Sequence, residues 1–124
     1  MKFTAIGENH LYAKVYARGK HSVGRLAVVY VLPDLRAKKL AAANPQKCKI
    51  NRIGLTVSKK LGGAVERNRC KRIIREAWRQ LERERGVRCG FLVVITARGA
   101  AVGAKTQDMK KDIERSLEAL GMLR

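Results

Sequence analysis

Residue types that carry nucleophilic or acid–base catalysis are sparse in this chain of 124 residues. It has two histidines, His10 and His21, and three cysteines, Cys48, Cys70 and Cys89, with no CxxC pair. This set has no zinc-ligand spacing, and the 10 acidic residues form no recognisable metal motif. Cys70 falls on an apolar helix stripe, where nothing activates a thiol. The sequence therefore predicts no catalytic residue, no protein-bound metal and a reduced chain.

Positive charge is the property of this sequence that indicates a binding function. Lys and Arg number 28 against 10 acidic residues, which gives a net charge of +18, yet 46% of residues are hydrophobic. Such a chain can fold, but its self-repulsion favours a polyanionic partner. Nucleic acid is the leading candidate, and an anionic membrane surface is the alternative. Because no apolar run approaches the ~20 residues of a spanning helix and no signal peptide opens the chain, we expect a cytoplasmic protein without membrane association.

The densest cationic pattern lies on a helix predicted from about Gly63 to Arg85. At about 100° per residue, an apolar stripe and a separate basic stripe occupy different faces. The apolar stripe consists of Cys70, Ile73, Ile74, Ala77 and Leu81, and the basic one of Arg67, Asn68, Lys71, Arg72, Arg75 and Arg79. Glu76 and Glu82 could pair with Arg72 and Arg79, but they cannot neutralise the stripe. Arginine can hold two phosphate oxygens at once, and Asn68 could read a sugar hydroxyl or a base edge. This face is predicted to bind nucleic acid.

The remaining elements must position that helix. Asn9 to Arg18 has helical periodicity with Gly19 as its stop, and a short strand is possible over Lys20–Gly24. Further strands are predicted at Leu26–Leu32, around Ile53–Ser58 and at Phe91–Ile95, the last covered on both faces. Gly99–Gly103 reads as a loop, and a last amphipathic helix carries Met109, Ile113, Leu117 and Leu120. The order of these elements predicts one α+β domain over 1–124, a small α/β sandwich with helices packed on a sheet of about four strands. The segment 33–50 is predicted to be a basic surface loop, with a possible helical turn at Leu35–Ala43.

Around the basic helix, the sequence resembles the bacterial ribonuclease P protein family. The matching residues are Gly54 to Gly62 (GLTVSKKLG), Ala64-Val65, Arg67-Asn68, Lys71-Arg72 and Arg75-Glu76. About twenty residues in register resemble the family's signature strand, glycine turn and Arg-Asn-Arg helix, and weaker similarity covers nearly the whole chain. Two departures are a first segment, Met1–Gly7, with Lys2 as its only basic residue, and a segment 33–50 without a counterpart.

The resemblance implies the protein subunit of ribonuclease P, an endoribonuclease that removes the 5′ leader of precursor tRNA. It implies a ribosomal protein S5 domain 2-like fold with a left-handed β-α-β crossover. The chemistry is expected in the catalytic RNA subunit, which would hold Mg²⁺, and the protein is expected to be monomeric apart from RNA. The predicted contacts to the RNA subunit are Lys59, Lys60, Arg67, Asn68, Arg69, Lys71, Arg72 and Arg75.

Three tyrosines are candidates for stacking with the leader. Tyr12 and Tyr16 lie four residues apart on one helix face, and Tyr30 lies in a strand. For Tyr12, leader contact and core packing both stay open. Trp78 is expected at the edge of the core with its N–H facing water.

Three other classes of protein remain alternatives at this stage. A ribosomal protein or RNA chaperone explains the charge but not the long signature match. A free-standing nuclease would need its own metal ligands. A basic membrane-surface protein is the weakest alternative, because its basic helix also carries an ordinary core stripe.

Overall fold

Within the residues that the structure describes, three α-helices pack on a four-stranded sheet. The structure is a computed structural model that describes residues 6, 9–34 and 51–123. The elements are α1 (Asn9–Arg18), β1 (Lys20–Val23), β2 (Ala27–Pro33), β3 (Arg52–Thr56), a 3-10 turn (Lys59–Leu61), α2 (Ala64–Glu84), β4 (Phe91–Ala97), a second 3-10 turn (Gly99–Ala101) and α3 (Thr106–Ala119).

The strands follow the order β1-β2-β4-β3 across the sheet. β1 and β2 form an antiparallel hairpin, and β2 also pairs antiparallel with β4 over all seven of its residues. β3 and β4 are parallel, with Arg52 opposite Leu92 and Thr56 opposite Thr96. The α+β class, the four strands and the helices packed on the sheet were predicted from the sequence and are confirmed.

The crossover from β3 through α2 to β4 is left-handed. The even-numbered residues of β4 point their backbone N–H and C=O groups toward β2. Two hydrogen bonds at the ends of this pair, from Arg98 N to Leu26 O and from Asp34 N to Gly90 O, both 2.8 Å, show which residues of the register are hydrogen-bonded. The even-numbered side chains, Leu92 and Val94, point toward α1. Consider β4 running upward and viewed from the side of α1, so that these side chains face the viewer. For L-residues in this orientation, the backbone N–H and C=O groups point to the right, so β2 lies to the right of β4 and β3 lies to its left. The chain therefore passes from β3 to β4 by moving right with α2 behind the sheet, which is the left-handed arrangement found in only ~2% of such units.

The sheet separates two apolar layers. On one face, α2 and α3 pack on Val29, Val31, Val93 and Ile95, all 5% exposed or less. On the other face, α1 packs on the remaining side chains of β2 and β4 through Leu11 and Val15. β4 is therefore covered on both faces, as its uninterrupted apolar run predicted.

A carboxylate on α3 holds the turn between β1 and β2. Asp112 accepts hydrogen bonds from the backbone N–H groups of Arg25, Leu26 and Ala27 at 3.0, 3.1 and 3.1 Å. A Cβ atom on Gly24 would lie 2.3 Å from the Asp112 carboxylate, so this close approach requires glycine. The turn therefore depends on a residue 85 to 87 positions later in the chain.

A buried ion pair links β2 to β3 across β4. The Arg52 guanidinium donates to both carboxylate oxygens of Asp34, at 2.7 and 2.8 Å, with side chains 9% and 2% exposed. Removing one partner of such a pair leaves a buried charge and typically costs about 3–5 kcal/mol. Arg52 is thus one basic residue of the chain that is engaged in the fold.

Several details differ from the sequence-based expectations. Trp78 is 1% exposed and belongs to the core, but its N–H donates to the Glu82 carboxylate and does not face water. Glu76 pairs with Arg79 at 3.3 Å. The expected pairs of Glu76 with Arg72 and of Glu82 with Arg79 are not present among the described residues. The Gly99–Gly103 loop contains a 3-10 turn. The possible helical turn at Leu35–Ala43, and most of the 33–50 loop, lie outside the described residues.

We predict that Asp112→Ala lowers the free energy of unfolding by about 2–4 kcal/mol, because buried N–H donors would lose their acceptor. Urea unfolding followed by circular dichroism measures this change. Asp108→Ala, an exposed aspartate on the same helix, is the matched control and should stay within about 0.5 kcal/mol of wild type. Equal losses in the two variants would contradict the role assigned to Asp112.

Candidate RNA interface

A tight turn positions the start of α2 beside the end of β3. The Ser58 hydroxyl accepts from Lys60 N at 3.2 Å and caps the 3-10 turn, and Gly62 follows with φ of 134°. That backbone angle disfavours residues with a side chain, so the glycine reverses the chain without strain. Lys59 and Lys60 are exposed on this turn, next to the first turn of α2.

The two faces of α2 are divided as the helical spacing predicted. The buried residues are Cys70, Ile73, Ile74, Ala77, Trp78 and Leu81. Asn68, Arg72 and Arg75 are exposed, and Arg67, Arg69 and Lys71 are partly exposed. Cys70 is a buried free thiol in the core, so its exclusion as a nucleophile agrees with its position.

We call the basic surface the set of cations on the 3-10 turn and on α2 as far as Arg75 that have neither a carboxylate partner nor a hydrogen bond to the backbone in the described part of the chain. It consists of Lys59, Lys60, Arg67, Lys71, Arg72 and Arg75. The Nε atom of Arg67 is buried and has no hydrogen-bond partner there. Arg69 differs from the other predicted contacts, because its guanidinium donates to the Ala104 carbonyl at 3.0 Å. Charges that are neither paired nor packed are available to an anionic partner.

A second surface lies on the sheet face beside α1, where the structure brings Tyr16 and Tyr30 together. Their rings meet edge to face with centroids 4.8 Å apart, and the ring of His21 lies 5.5 Å from that of Tyr30. The Tyr16 hydroxyl is within hydrogen-bond distance of the Thr56 and Thr96 hydroxyls, at 3.0 and 3.1 Å. Tyr16 is 41% exposed. We call these five side chains the aromatic surface.

Tyr12 lies one turn before Tyr16 in α1, and its ring covers Gly54. A Cβ atom at Gly54 would lie 2.5 Å from the Tyr12 ring, so the ring sits where a strand side chain would otherwise be. Burial raises the pKa of Tyr12 above its usual value near 10, the neighbouring Tyr16 adds to the increase, and a backbone hydrogen bond with Leu55 opposes it. Tyr12 therefore contributes mainly to packing, with part of its surface still accessible.

Sequence patterns did not identify three members of the aromatic surface, namely His21, Thr56 and Thr96. His21 stands opposite Tyr30 in the β1–β2 register, and Thr56 stands opposite Thr96 in the parallel pair. Strand alternation shows which residues share a face, but the register that makes them neighbours depends on pairing between distant segments. The alternation of Thr56 with Leu55 was the only local signal.

The basic and aromatic surfaces meet at the end of β3. Thr56 belongs to the aromatic surface, and Lys59 opens the basic one three residues later. Among the described residues, no three His, Cys, Asp or Glu side chains converge as metal ligands. None of the helices in the described ranges is both long and apolar enough to cross a membrane. Cys48 lies outside the described residues.

The described residues form a mixed four-stranded sheet, a helix face whose cations lack carboxylate partners among them, and an aromatic surface beside α1, which together define a small basic α+β protein. A family model described as Ribonuclease P matches residues 2–121. The chain belongs to the ribonuclease P protein family, as its signature residues indicated.

Curated relatives and solved structures match nine tenths or more of this chain. The chain is 33% identical to a ribonuclease P protein component of Clostridium botulinum (strain Loch Maree / Type A3), with 98% of each chain covered. It is 38% identical to the component of Symbiobacterium thermophilum over 90% of this chain and 86% of that one. The RNase P protein of Staphylococcus aureus superimposes with a TM-score of 0.75 at 26% identity, covering 99% and 100%. The RNase P protein of Thermotoga maritima shares the fold, with a TM-score of 0.67 at 18% identity over 93% and 94%.

We predict that Gly54→Ala displaces the Tyr12 ring from the sheet and lowers the Tyr12 pKa toward its ordinary value of about 10. Burial favours the neutral phenol, so the wild-type protein should also lose stability as pH rises above about 10 and Tyr12 ionises. Tyrosinate absorbance during a pH titration measures the shift. Gly99→Ala is the control, since the nearest described atom to its Cβ would be 4.0 Å away. An unchanged Tyr12 titration in Gly54→Ala would contradict this packing.

Proposed function

We propose that this chain is the protein subunit of a ribonuclease P ribonucleoprotein, an endoribonuclease that removes the 5′ leader from precursor tRNA. The basic surface binds the catalytic RNA subunit, and the aromatic surface binds the single-stranded leader. The observation that carries the proposal is that the two faces of α2 differ. One face is packed in the core, and the cations on the other face that belong to the basic surface have no carboxylate partner in the described part of the chain. Membership of the family supports the partner as ribonuclease P RNA.

Phosphate binding is the chemistry that the basic surface fits. Arginine forks match two phosphate oxygens, and each phosphate neutralised releases condensed counterions. Asn68 is exposed between Arg67 and Arg69 and can hydrogen-bond a sugar or base. Arg69 contributes through one side of its guanidinium while another nitrogen remains on Ala104.

Base stacking is the chemistry that the aromatic surface fits. Tyr16, Tyr30 and His21 provide rings on one sheet face, and exposed Val23 extends the same face, at 61% exposure. Stacking on aromatic rings is worth ~1–3 kcal/mol per base and depends little on sequence. A processing enzyme with many precursor substrates requires that tolerance.

Hydrolysis of the phosphodiester is assigned to the RNA subunit and its divalent ions. The described side chains of this protein do not fit a protein-held catalytic ion, because no group of three ligands converges among them. The protein would bind and orient the substrate, and its cytoplasmic location and monomeric state outside the ribonucleoprotein are part of the same proposal. Protein alone should leave precursor tRNA uncut, whereas protein with its cognate RNA and Mg²⁺ should release the leader in a single cut.

For the basic surface, we predict that Arg67→Ala with Arg72→Ala weakens binding to the catalytic RNA and flattens its salt dependence. The log–log slope should fall by about 0.7–0.9 for each phosphate that the variant no longer neutralises. A filter-binding titration across a salt series measures it, and urea unfolding checks the fold. Lys111→Ala with Arg115→Ala, two exposed α3 cations without ion pairs among the described residues, removes the same charge elsewhere. The assignment is wrong if both double variants behave alike.

For the aromatic surface, we predict that Tyr16→Ala and Tyr30→Ala weaken holoenzyme binding of precursor tRNA but not of mature tRNA. The expected loss is about 5- to 140-fold, which corresponds to one stacked base. Tyr16→Phe keeps the ring and removes only the hydroxyl that meets Thr56 and Thr96, so it should retain most of the affinity. Equal losses on mature tRNA would return these residues to a structural role.

A further inference from the structure

A cationic cleft lies between α2 and the beginning of α3, on the flank of the basic surface. It has a volume of about 550 Å³ and is lined by Arg69, Arg72, Ile73, Glu76, Arg79, Lys105 and Thr106. This volume is within the range of ~300–1,000 Å³ typical of ligand sites. Four of the seven lining residues are cations and one is an acid, so the lining has a net charge of +3.

The charge in this cleft is only partly used within the protein. Arg69 donates to the Ala104 carbonyl, which fixes α2 against the segment that precedes α3. Arg79 pairs with Glu76 at 3.3 Å, with side chains 48% and 42% exposed. Arg72 and Lys105 have no carboxylate partner in the described ranges and are both exposed. Two cations are therefore available, and a third is held by a weak exposed pair.

The N-terminal end of α3 lies at this cleft. The helix begins after Lys105, whose side chain makes no capping hydrogen bond at that end. The first N–H groups of a helix lack intrahelical acceptors, and the helix dipole places partial positive charge there. Lys105 and Thr106 at this end line the same cleft as the arginines of α2. Arginines of α2 and the two residues at the start of α3 thus line one volume.

We propose that this cleft binds a backbone phosphate of RNA, at a site that shares Arg72 with the basic surface and extends beyond it. The inference rests on the proposed function for its partner and adds a position that the signature helix does not include, namely Lys105 with the first turn of α3. At about 100° per residue, Arg69, Ile73 and Glu76 lie about 180–240° from Arg67, whereas the basic stripe covers about 0–140°. Arg72 and Arg79 lie at the border of the two, so one RNA strand can follow α2 around its circumference.

Glu76 provides a test with the opposite sign. It is the one acid among the described residues that line the cleft, and it holds Arg79. Glu76→Gln should release Arg79 and tighten RNA binding about fivefold at low salt, whereas Lys105→Gln should weaken binding by a similar factor. A folding defect cannot produce the gain, so the pair of variants separates binding from stability.

Each variant has a matched control on the same protein. Glu118→Gln removes a carboxylate that also pairs with an arginine at 3.3 Å, but far along α3. Lys111→Gln removes an exposed α3 lysine outside the cleft. The full-length variants are titrated with the cognate catalytic RNA across a salt series. In the Lys105 variant alone, the log–log slope should fall by about 0.7–0.9, the value for one phosphate.

A second measurement distinguishes an RNA phosphate from a free anion. Side-chain NMR signals of Arg72 and Lys105 are followed while uridylyl-uridine or inorganic phosphate is added to the protein without RNA. Saturable shifts with the dinucleotide that are absent in Lys105→Gln support the cleft site. Failure of the wild-type protein to bind the catalytic RNA would refute the proposed function but not the cleft site. Equal effects of cleft and control variants overturn the cleft site. Saturation by inorganic phosphate but not by the dinucleotide overturns RNA as its ligand.

Discussion

β4 pairs with β2 on one side and with β3 on the other, and its side chains enter both apolar layers. Leu92 and Val94 pack under α1, while Val93 and Ile95 pack under α2 and α3. Because this strand is buried on both faces, each helix must cover its own side and turn its polar residues outward. The basic surface of α2 and the aromatic surface beside α1 are consequences of that arrangement. They belong to opposite faces of one sheet and still meet at the end of β3.

Patterns within one segment were sufficient to predict most of the elements. The apolar run of β4 and the two stripes of α2 each report the burial of a single element, and both were confirmed. The alternation in β3 predicted a half-buried strand. The strand is present, but Arg52, Ile53 and Gly54 are all buried, because both of its faces are covered there. The crossover hand was a different case, since physical generalities favour the right hand and only the family resemblance implied the left.

Contacts between distant segments could not be predicted from the sequence. The partner of Arg52 is Asp34, and Arg69 donates to Ala104. In the sequence each of these arginines is a polar residue with many possible partners. Strand register and helix docking select one of them, and both are set by the whole fold. The cleft beside α3 was overlooked for the same reason, because Lys105 lies 26 residues beyond Arg79.

The acids of the chain are distributed so that they leave the first half of α2 positive. Glu84, Glu114 and Glu118 pair with Lys110 or Arg85, where the end of α2 packs beside α3. The hydrogen bond from Lys110 lowers the pKa of the Glu84 carboxyl and so favours its ionised form. Exposed pairs add little stability. They do neutralise the end of α2 that is farther from the basic surface.

The contact between Asp112 and the β1–β2 turn also has a consequence for the order in which the chain folds. A growing polypeptide would expose Arg25, Leu26 and Ala27 long before the acceptor of their N–H groups had been synthesised. β2 must likewise wait for β4, which lies more than fifty residues later. The contacts that complete this hairpin are therefore non-local, and they form only after β4 and α3 have been synthesised. Until then, a strongly cationic nascent chain is exposed beside the ribosome, whose own RNA is the nearest polyanion.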